Sequence, residues 1–419
     1  MKHLFILLSL LLITLLVQAQ NHPTCDGSRY VSQVFTNVDT TRSILYGNNT
    51  TYGGNNQDLY MDIYQPVGDV ATARPAIVLA FGGSFVTGDR GDMAPLCHYY
   101  AQRGYVAVSI DYRLYDGPLF PLPSAATMTD VVIKAVGDMK AAVRFLRQDA
   151  ANANNYKIDT NYIFVGGISA GGIVANHTAY LDPTDSIGTS EQTAITSNGG
   201  YEGNSSNNVG LHNSSVQGVV NFSGALRSAS YISSNEAPLF SAHDDGDGVV
   251  PYGNGSATIA GFPIIYVEGS QTMAARTTSL GIPNFLITIP NSSGHVSYFN
   301  GSNVAQWADT VRSTASQFLH DESICPIIVA VHTPLPQELL ANVYPNPSPS
   351  DVMIAFDELP SAYNLVLYDN MGRVVRSINN IQTERYILER IQLPAGVYHA
   401  QLQFEDTNIV PIQTSIVFQ

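Results

Sequence analysis

The stretch that most restricts this chain is "FVGGISAGGIVAN", from Phe164 to Asn176. It opens with apolar residues that suit a buried strand and closes in a segment of helical character. A lone serine, Ser169, stands between them, flanked by Gly167 and Gly171. A chain that passes from strand to helix over so few residues must turn sharply. Glycines at those two positions remove the side chains that would clash in the turn. The pattern predicts a strand, a strained corner that exposes one hydroxyl, and a helix whose first amide is that of Ala170.

The chain up to Cys325 supplies a sheet for such a corner. "LYMDIY", Leu59 to Tyr64, alternates apolar and polar residues, as a half-buried strand does. "RPAIVLA" and "YVAVSIDYR" are continuous apolar runs that suit strands covered on both faces. "PLCHYYAQRG" reads as a helix, with Pro95 in its first turn and Gly104 as its stop. From Thr129 to Gln148, apolar residues at 132, 135, 136, 139, 142, 143 and 146 share one helical face. "NYIFVGG", "VQGVVNFSGA", "APLFSAH" and "NFLITIP" add strands, and Val304 to Leu319 reads as a helix. Residues 181–215, rich in Asn, Ser, Gly and Thr, read as a long loop or small cap. Strands alternating with helices predict an α/β fold with a mostly parallel sheet flanked by helices. Such sheets bind ligands beyond the carboxyl ends of their strands, where Ser169 falls. Loops near 115–125, 181–215 and 252–275 are expected to shape the pocket.

After Cys325 the pattern changes. "PIIVAVHTPLPQELLAN" reads as a linker, and from about Asn342 short alternating strands predict a small all-β sandwich. Charged residues make up 13% of the chain, against about 25% in an average soluble protein. Uncharged polar residues fill the surface instead, as in many secreted proteins. The formal net charge of -15 argues against nucleic acid or an anionic membrane surface as a partner. The N-terminus places Lys2 before a long apolar run, with Val17 and Ala19 at the two small positions of a cleavage site. Residues 1–19 are expected to be a signal peptide, the apolar core being short for a membrane span. Cys25, Cys97 and Cys325 allow one disulfide and one leftover thiol, by any of three pairings. They have no metal-ligand spacing, and no metal or cofactor is expected.

A serine hydroxyl is a poor nucleophile until a base removes its proton. The base is expected after the corner, oriented by an acid, in the order serine, acid, histidine. His320 ends a helix, His332 lies in the linker and His399 in the β-tail, whereas His295 in "PNSSGHVSYF" follows the strand "NFLITIP". His295 is therefore the candidate base. The acid is expected after "APLFSAH", where "DDGDGVVPY" offers Asp244, Asp245 and Asp247. This cluster lacks the spacing and terminal Glu of a calcium-binding loop. A developing oxyanion needs backbone donors, each worth about 3–4 kcal/mol. "FGGSFVTGD" follows the buried strand "RPAIVLA", and the amides of Gly83, Ser84 and Ala170 are the candidates.

At these residues the chain resembles the α/β-hydrolase family, in its carboxylesterase and feruloyl/acetyl-xylan-esterase-like branch, over roughly residues 40 to 320. "RPAIVLAFGGSF" with "RGYVAVSIDYRL" is similar to that branch's oxyanion block, and "GISAGG" to its nucleophile elbow. "HDDGDGVVPY" resembles its H-G-x-x-D-x-x-V-P-Y segment, which carries the acid's role onto Asp247, between His243 and Pro251. Phe81 and Ser84 stand where the family has His and a third Gly, and Asp244 stands for a Gly. The resemblance implies a catalytic set of Ser169, Asp247 and His295, with Gly83, Ser84 and Ala170 as the oxyanion hole. "VYPNPSPS", "LVLYDNMGRVV" and "LPAGVYHAQL" resemble the C-terminal sorting domain of type IX secretion cargo, though the end "SIVFQ" lacks a basic residue common there.

The expected order is a signal peptide at 1–19, an α/β-hydrolase domain at 25–325, a linker at 326–340 and a sorting domain at 341–419. The expected function is a secreted serine esterase acting through an acyl-enzyme, on carboxylic esters such as acetyl or feruloyl groups of polysaccharide. It would reach the medium or cell surface through the periplasm of a Gram-negative bacterium. The secretion machinery is its other expected partner. Rival readings are a lipase or polyester depolymerase, and a non-catalytic binding protein on a hydrolase scaffold.

Overall fold

The computed structural model describes Cys25 and residues 27–206, 209–326, 341–356, 359, 361–370, 372–405, 409 and 411–419. The predicted signal peptide lies outside the described residues, as do His332 and all of the predicted linker beyond Pro326. The chain divides into two compact units, one up to Ile327 and one from Ile328 on.

The first unit contains strands β1 (Val38–Thr50), β2 (Asn56–Pro66), β3 (Arg74–Ala80), β4 (Val106–Ile110), β5 (Ile158–Ile168), β6 (Val219–Phe222), β7 (Ala225–Leu226), β8 (Leu239–Asp244), β9 (Asn254–Ile259), β10 (Phe262–Gly269) and β11 (Asn284–Ile289). Its helices are α1 (Ala94–Ala101), α2 (Ala125–Ala151), α3 (Ala170–Tyr180), α4 (Thr189–Ser197), α5 (Ser270–Ser279), α6 (Ser297–Asn300) and α7 (Val304–Leu319). Eight strands form one sheet in the order β1-β2-β4-β3-β5-β6-β8-β11. The first two pairings are antiparallel and the other five parallel. This is the mostly parallel, helix-flanked α/β sheet that the alternating pattern predicts.

Every residue of β3 and β4 is buried, which is why those strands read as unbroken apolar runs. In register, Val78 faces Val108 on one side and Val165 on the other, and Val165 faces Val219. Each such side chain contributes about 1.5–3 kcal/mol by leaving water. The same register brings the ends of β3, β5, β6, β8 and β11 to one edge of the sheet, where the loops of the site emerge.

Three features escape the sequence pattern. Within 181–215, read as loop or cap, Thr189–Ser197 forms helix α4. Only Glu191, Ala194 and Ile195 of it are buried, too few to mark a helical face. Its start is fixed by Glu191, whose Oε2 accepts the amide of Gly188 at 2.9 Å. Strands β9 and β10 form a half-exposed hairpin that pairs with β7 in a separate small sheet. The disulfide is Cys25–Cys325, and Cys97 is a buried free thiol on α1.

Among the described residues, the strands of the second unit all pair antiparallel. Strands β12 (Asn342–Tyr344), β13 (Val352–Ala355) and β16 (Arg385–Leu388) form one sheet, in the order β12-β13-β16. Strands β14 (Tyr363–Tyr368), β15 (Val374–Ile381), β17 (Gly396–Phe404) and β18 (Ile412–Phe418) form the other, in the order β15-β14-β17-β18. Both sheets contribute to one core, with Val352, Ile354 and Leu388 from the first and Leu365, Leu402 and Ile416 from the second.

The cysteine arrangement predicts a stepwise thiol count. A polar disulfide reagent is expected to label no thiol in the native chain. It should label one after unfolding without reductant and three after unfolding with reductant, out of three cysteines in all. Two or three labelled thiols in the unfolded, unreduced protein would contradict the Cys25–Cys325 bridge.

Candidate active site

Strand β5 ends at Ile168 and α3 begins at Ala170, leaving Ser169 alone in the corner. Its φ is 55° and its ψ is -115°, a region that L residues occupy only under constraint. The constraint is visible. The Ser169 amide donates to Phe222 O at 2.7 Å, and its carbonyl accepts from Ile173 N at 3.0 Å. A Cβ on Gly171 would stand 2.0 Å from Ala80 O, and one on Gly167 would stand 2.3 Å from the backbone of Gly171. Only glycine lets α3 lie this close to the ends of β3 and β5. The Ser169 residue is 6% exposed, in the wall of a cleft.

Ser169, His295 and Asp247 form a hydrogen-bonded line. Ser169 Oγ lies 2.7 Å from His295 Nε2, and His295 Nδ1 lies 2.6 Å from Asp247 Oδ2. A carboxylate only accepts, so Nδ1 carries the proton and Nε2 is free to accept from the serine hydroxyl. The loop after β8 and the loop after β11 meet because β8 and β11 pair in parallel, with Asp244 opposite Ile289.

The three adjacent aspartates divide their work. Asp244 is buried and accepts from Ser297 N at 3.0 Å and from the Ser297 hydroxyl. Asp245 accepts from Asn291 N at 2.9 Å and Ser292 N at 3.0 Å. Both brace the loop that carries His295. Asp247 alone reaches the imidazole. Its Oδ1 accepts from Val249 N at 2.8 Å and Val250 N at 3.1 Å. Burial pushes the Asp247 carboxyl up, but hydrogen bonds and charge from His243 and His295 outweigh this and lower it to about 2. It is therefore ionised at any pH above about 4. Asp244, where the family has glycine, closes β8 and ties it to the histidine loop.

The loop after β3 lies against the corner. A Cβ on Gly82 would stand 3.4 Å from Ser169 Cβ. Gly83, Ser84 and Phe85 have φ of 120°, 54° and 62° in succession, and Gly83 O accepts from Val86 N at 3.0 Å and Thr87 N at 3.2 Å. Among the described residues, no acceptor takes the amides of Gly83, Ser84 or Ala170. Phe81 stands where the family has a histidine and is anchored differently. Its ring stacks on Tyr112 at 4.3 Å between centroids, and its carbonyl accepts from Tyr112 OH at 2.8 Å.

Beside Ser169 opens a cleft of about 760 Å³, counting the solvent at its mouth. Ser169, Ala170, Ile173, His177 and Leu181 line it along one face of α3. Met128, Val132 and Ile133 of α2 and Ile264, Ile265 and Val267 of β10 supply other walls. The polar groups toward its far end are already engaged. His177 Nδ1 donates to Ile173 O at 2.8 Å, and its Nε2 accepts from Arg227 N at 3.1 Å. Burial lowers the His177 pKa, which keeps this ring uncharged. Glu191 accepts from Tyr231 OH and from Gly188 N. The cleft thus offers mainly hydrocarbon. Among the described residues, no group of three His, Cys, Asp or Glu side chains is placed to hold a metal ion.

Of the residues singled out from sequence, Ser169, Asp247 and His295 are brought into contact, with Ser84 and Ala170 lining the cleft beside Ser169 and Gly83 next to Ser84 in the loop after β3. The segment 252–275, expected to shape the pocket, does so as the β9–β10 hairpin rather than as a loop, and the roles of the engaged His177 and His243 side chains are not legible in the sequence. The HxxxD spacing of His243 and Asp247 is the one signal that pointed near the latter.

The BD-FAE family model matches residues 61–227, and a model described as a secretion system C-terminal sorting domain matches residues 342–417. A probable carboxylic ester hydrolase, LipM, of Mycobacterium tuberculosis (strain ATCC 25618 / H37Rv) is 28% identical over 146 residues. That match takes in 34% of this chain, and the chain spans about 30% of the length of this curated relative. Among solved structures, a propionate-bound thermophilic esterase from the planctomycete Thermogutta terrifontis is 22% identical. It has a TM-score of 0.49, with 68% of this chain and 95% of that one covered. The same organism's esterase 2 phosphorylated by paraoxon is 21% identical with a TM-score of 0.47, covering 68% and 95%. Among the described residues, no helix is long and apolar enough to cross a membrane. Sheet, corner and family models together give residues 61–227 the α/β-hydrolase fold and a likeness to the BD-FAE family, followed at residues 342–417 by a secretion system C-terminal sorting domain.

Proposed function

We propose that the chain is a secreted serine esterase that cleaves carboxylic esters through an acyl-enzyme. The observation that carries this reading is the Ser169–His295–Asp247 line, at 2.7 and 2.6 Å, beside three backbone amides that have no acceptor among the described residues. Ser169 Oγ attacks the ester carbonyl while His295 Nε2 takes its proton. The C=O electron pair moves onto oxygen, which the amides of Gly83, Ser84 and Ala170 stabilise. Asp247 stabilises the imidazolium without taking the proton. Collapse breaks the C–O bond, His295 protonates the departing alcohol, and Ser169 retains the acyl group. Water then repeats the sequence with His295 as base, and the carboxylic acid leaves.

The apolar lining of the cleft supports a substrate with an apolar acyl group. An acetyl group would leave most of its apolar wall in water, whereas an aromatic acyl group such as feruloyl or a medium-length aliphatic chain would cover it. Residues 1–19 serve as the export signal, 25–325 as the catalytic domain, 326–340 as the linker and 341–419 as the sorting domain. The last of these directs the enzyme from the periplasm to the medium or cell surface.

Ser169→Ala is expected to remain folded and to lose several orders of magnitude in ester turnover. The wild-type kcat/KM is expected to fall in acid, because the proposed base must be neutral to accept the serine proton. Asp247, lowered to about 2, stays ionised throughout and loses its contribution to stability only as the pH falls from about 4 through 2. Near-wild-type turnover by folded Ser169→Ala would favour the binding-protein reading. A rate flat down to pH 4 would remove His295 as the base.

A series of p-nitrophenyl esters tests the substrate class. Each added buried methylene contributes about 0.8 kcal/mol, so kcat/KM is expected to climb roughly threefold to fourfold per carbon beyond acetyl. Ile173→Trp, which fills the cleft, is expected to suppress long esters more than acetyl. A preference for acetyl esters in the wild type would contradict the proposal.

A further inference from the structure

Two imidazoles, not one, face Asp247. His243 lies at the end of β8 with no exposed surface, and its Nε2 stands 3.3 Å from the same Oδ2 that binds His295. The same nitrogen lies 3.0 Å from Val250 O. Both neighbours are acceptors, so Nε2 carries a proton. The other nitrogen, Nδ1, lies 2.7 Å from Ser270 Oγ.

The surrounding groups fix which way that second bond runs. Asn221 Oδ1 accepts from Gly224 N at 3.0 Å, so its Nδ2 donates, to Ser270 Oγ at 2.9 Å and Ser241 Oγ at 3.1 Å. Ser270 receives that proton and turns its own toward His243 Nδ1. Along the buried line Asn221–Ser270–His243 each group therefore donates to the next, ending at Asp247. The Tyr252 ring stands edge-on to His243 at 5.8 Å and holds its plane. His243 also grips the turn that forms the carboxylate's other contact. It binds the carbonyl of Val250, whose amide donates to Asp247 Oδ1 at 3.1 Å.

We propose that His243 is a positioning residue, whose Nε2–H clamps the 247–250 turn and aims the Asp247 carboxylate at His295. This rests on the reading of Asp247 as the acid of the esterase. His243 touches neither substrate nor the reacting atoms and acts only through Asp247. The N–H edge beside Oδ2 also withdraws electron density from that oxygen. Without it the carboxylate holds the charge that develops on His295 more strongly.

The experiment compares His243→Leu, His243→Gln and wild type in the full chain. His243→Leu is expected to lose on the order of 10- to 100-fold in kcat, with KM within about twofold. The acid limb of its pH profile is expected to move to higher pH. His243→Gln, which restores an N–H at similar reach, is expected to recover most of kcat and return the limb. A residue that only supported the fold would lower the active fraction, counted by an acylating titrant, without moving the limb. A folded His243→Leu with wild-type kcat and an unmoved limb would overturn the proposal. So would a loss of rate matched entirely by lost active fraction.

Nitrogen-15 NMR of histidine-labelled, unmutated enzyme gives a second test that needs neither a foldable variant nor any substrate. The Nε2–H tautomer of His243, with Nδ1 unprotonated, is expected, and the Nδ1–H tautomer would overturn the proposal. Full turnover by Ser169→Ala would instead sink the esterase reading and leave this tautomer result intact.

Discussion

Helix α3 approaches the sheet so closely that one carbonyl decides the geometry of the whole site. Ala80 O, at the end of β3, occupies the space where any side chain at residue 171 would begin. With glycine there, the helix seats against β3 and β5, and Ser169 is forced to positive φ between them. Strain of roughly 1–3 kcal/mol is typical of such a residue and must be met by the packing around it. The buried rows of β3, β4 and β5 supply that packing. The same close approach leaves the Ala170 amide at the helix start without an acceptor among the described residues and brings Gly82 against the corner.

A second dependence runs through β8 and β11. Their parallel pairing delivers two loops to the same place, and three aspartates in one short run keep them there. Asp244 and Asp245 bond to the histidine loop, which leaves Asp247 free to face the imidazole ring. His243 closes the arrangement from beneath, because it binds the turn on which Asp247 sits. Neutral hydrogen bonds are worth about 1 kcal/mol each, but buried donors and acceptors left unpaired cost more. A network in which each of these groups is satisfied therefore favours one orientation of the acid.

Much of this was legible in the sequence, for identifiable reasons. Buried parallel strands leave unbroken apolar runs, so β3, β4 and β5 could be read directly. The glycines at 167 and 171 reveal the corner because no other residue fits it. Chain order narrowed ten histidines to four, their places in the pattern left His295, and the resemblance carried the acid's role onto Asp247 among three aspartates. Other features left weaker traces. Helix α4 buries too few residues to show a period. The β9–β10 hairpin is half exposed and carries Pro263 and Gly255, so it reads as a loop, though its part in shaping the pocket is expected from the sequence. The disulfide joins residues 300 positions apart, and no local pattern separates Cys25–Cys325 from the other pairings. The hydrogen bonds of His243 depend on Asn221, Ser270 and Val250, which meet only after folding.

The central claim is that Ser169 is the nucleophile, activated by His295 and held ready at the corner. The most direct measurement is covalent. The purified enzyme is treated with an activated alkyl phosphonate that bears an apolar chain, then digested and mapped by mass spectrometry. The account predicts one adduct per chain, on the peptide that carries Ser169, formed in step with the loss of ester turnover and absent from Ser169→Ala. An adduct on another serine, or turnover that survives full labelling of Ser169, would contradict it.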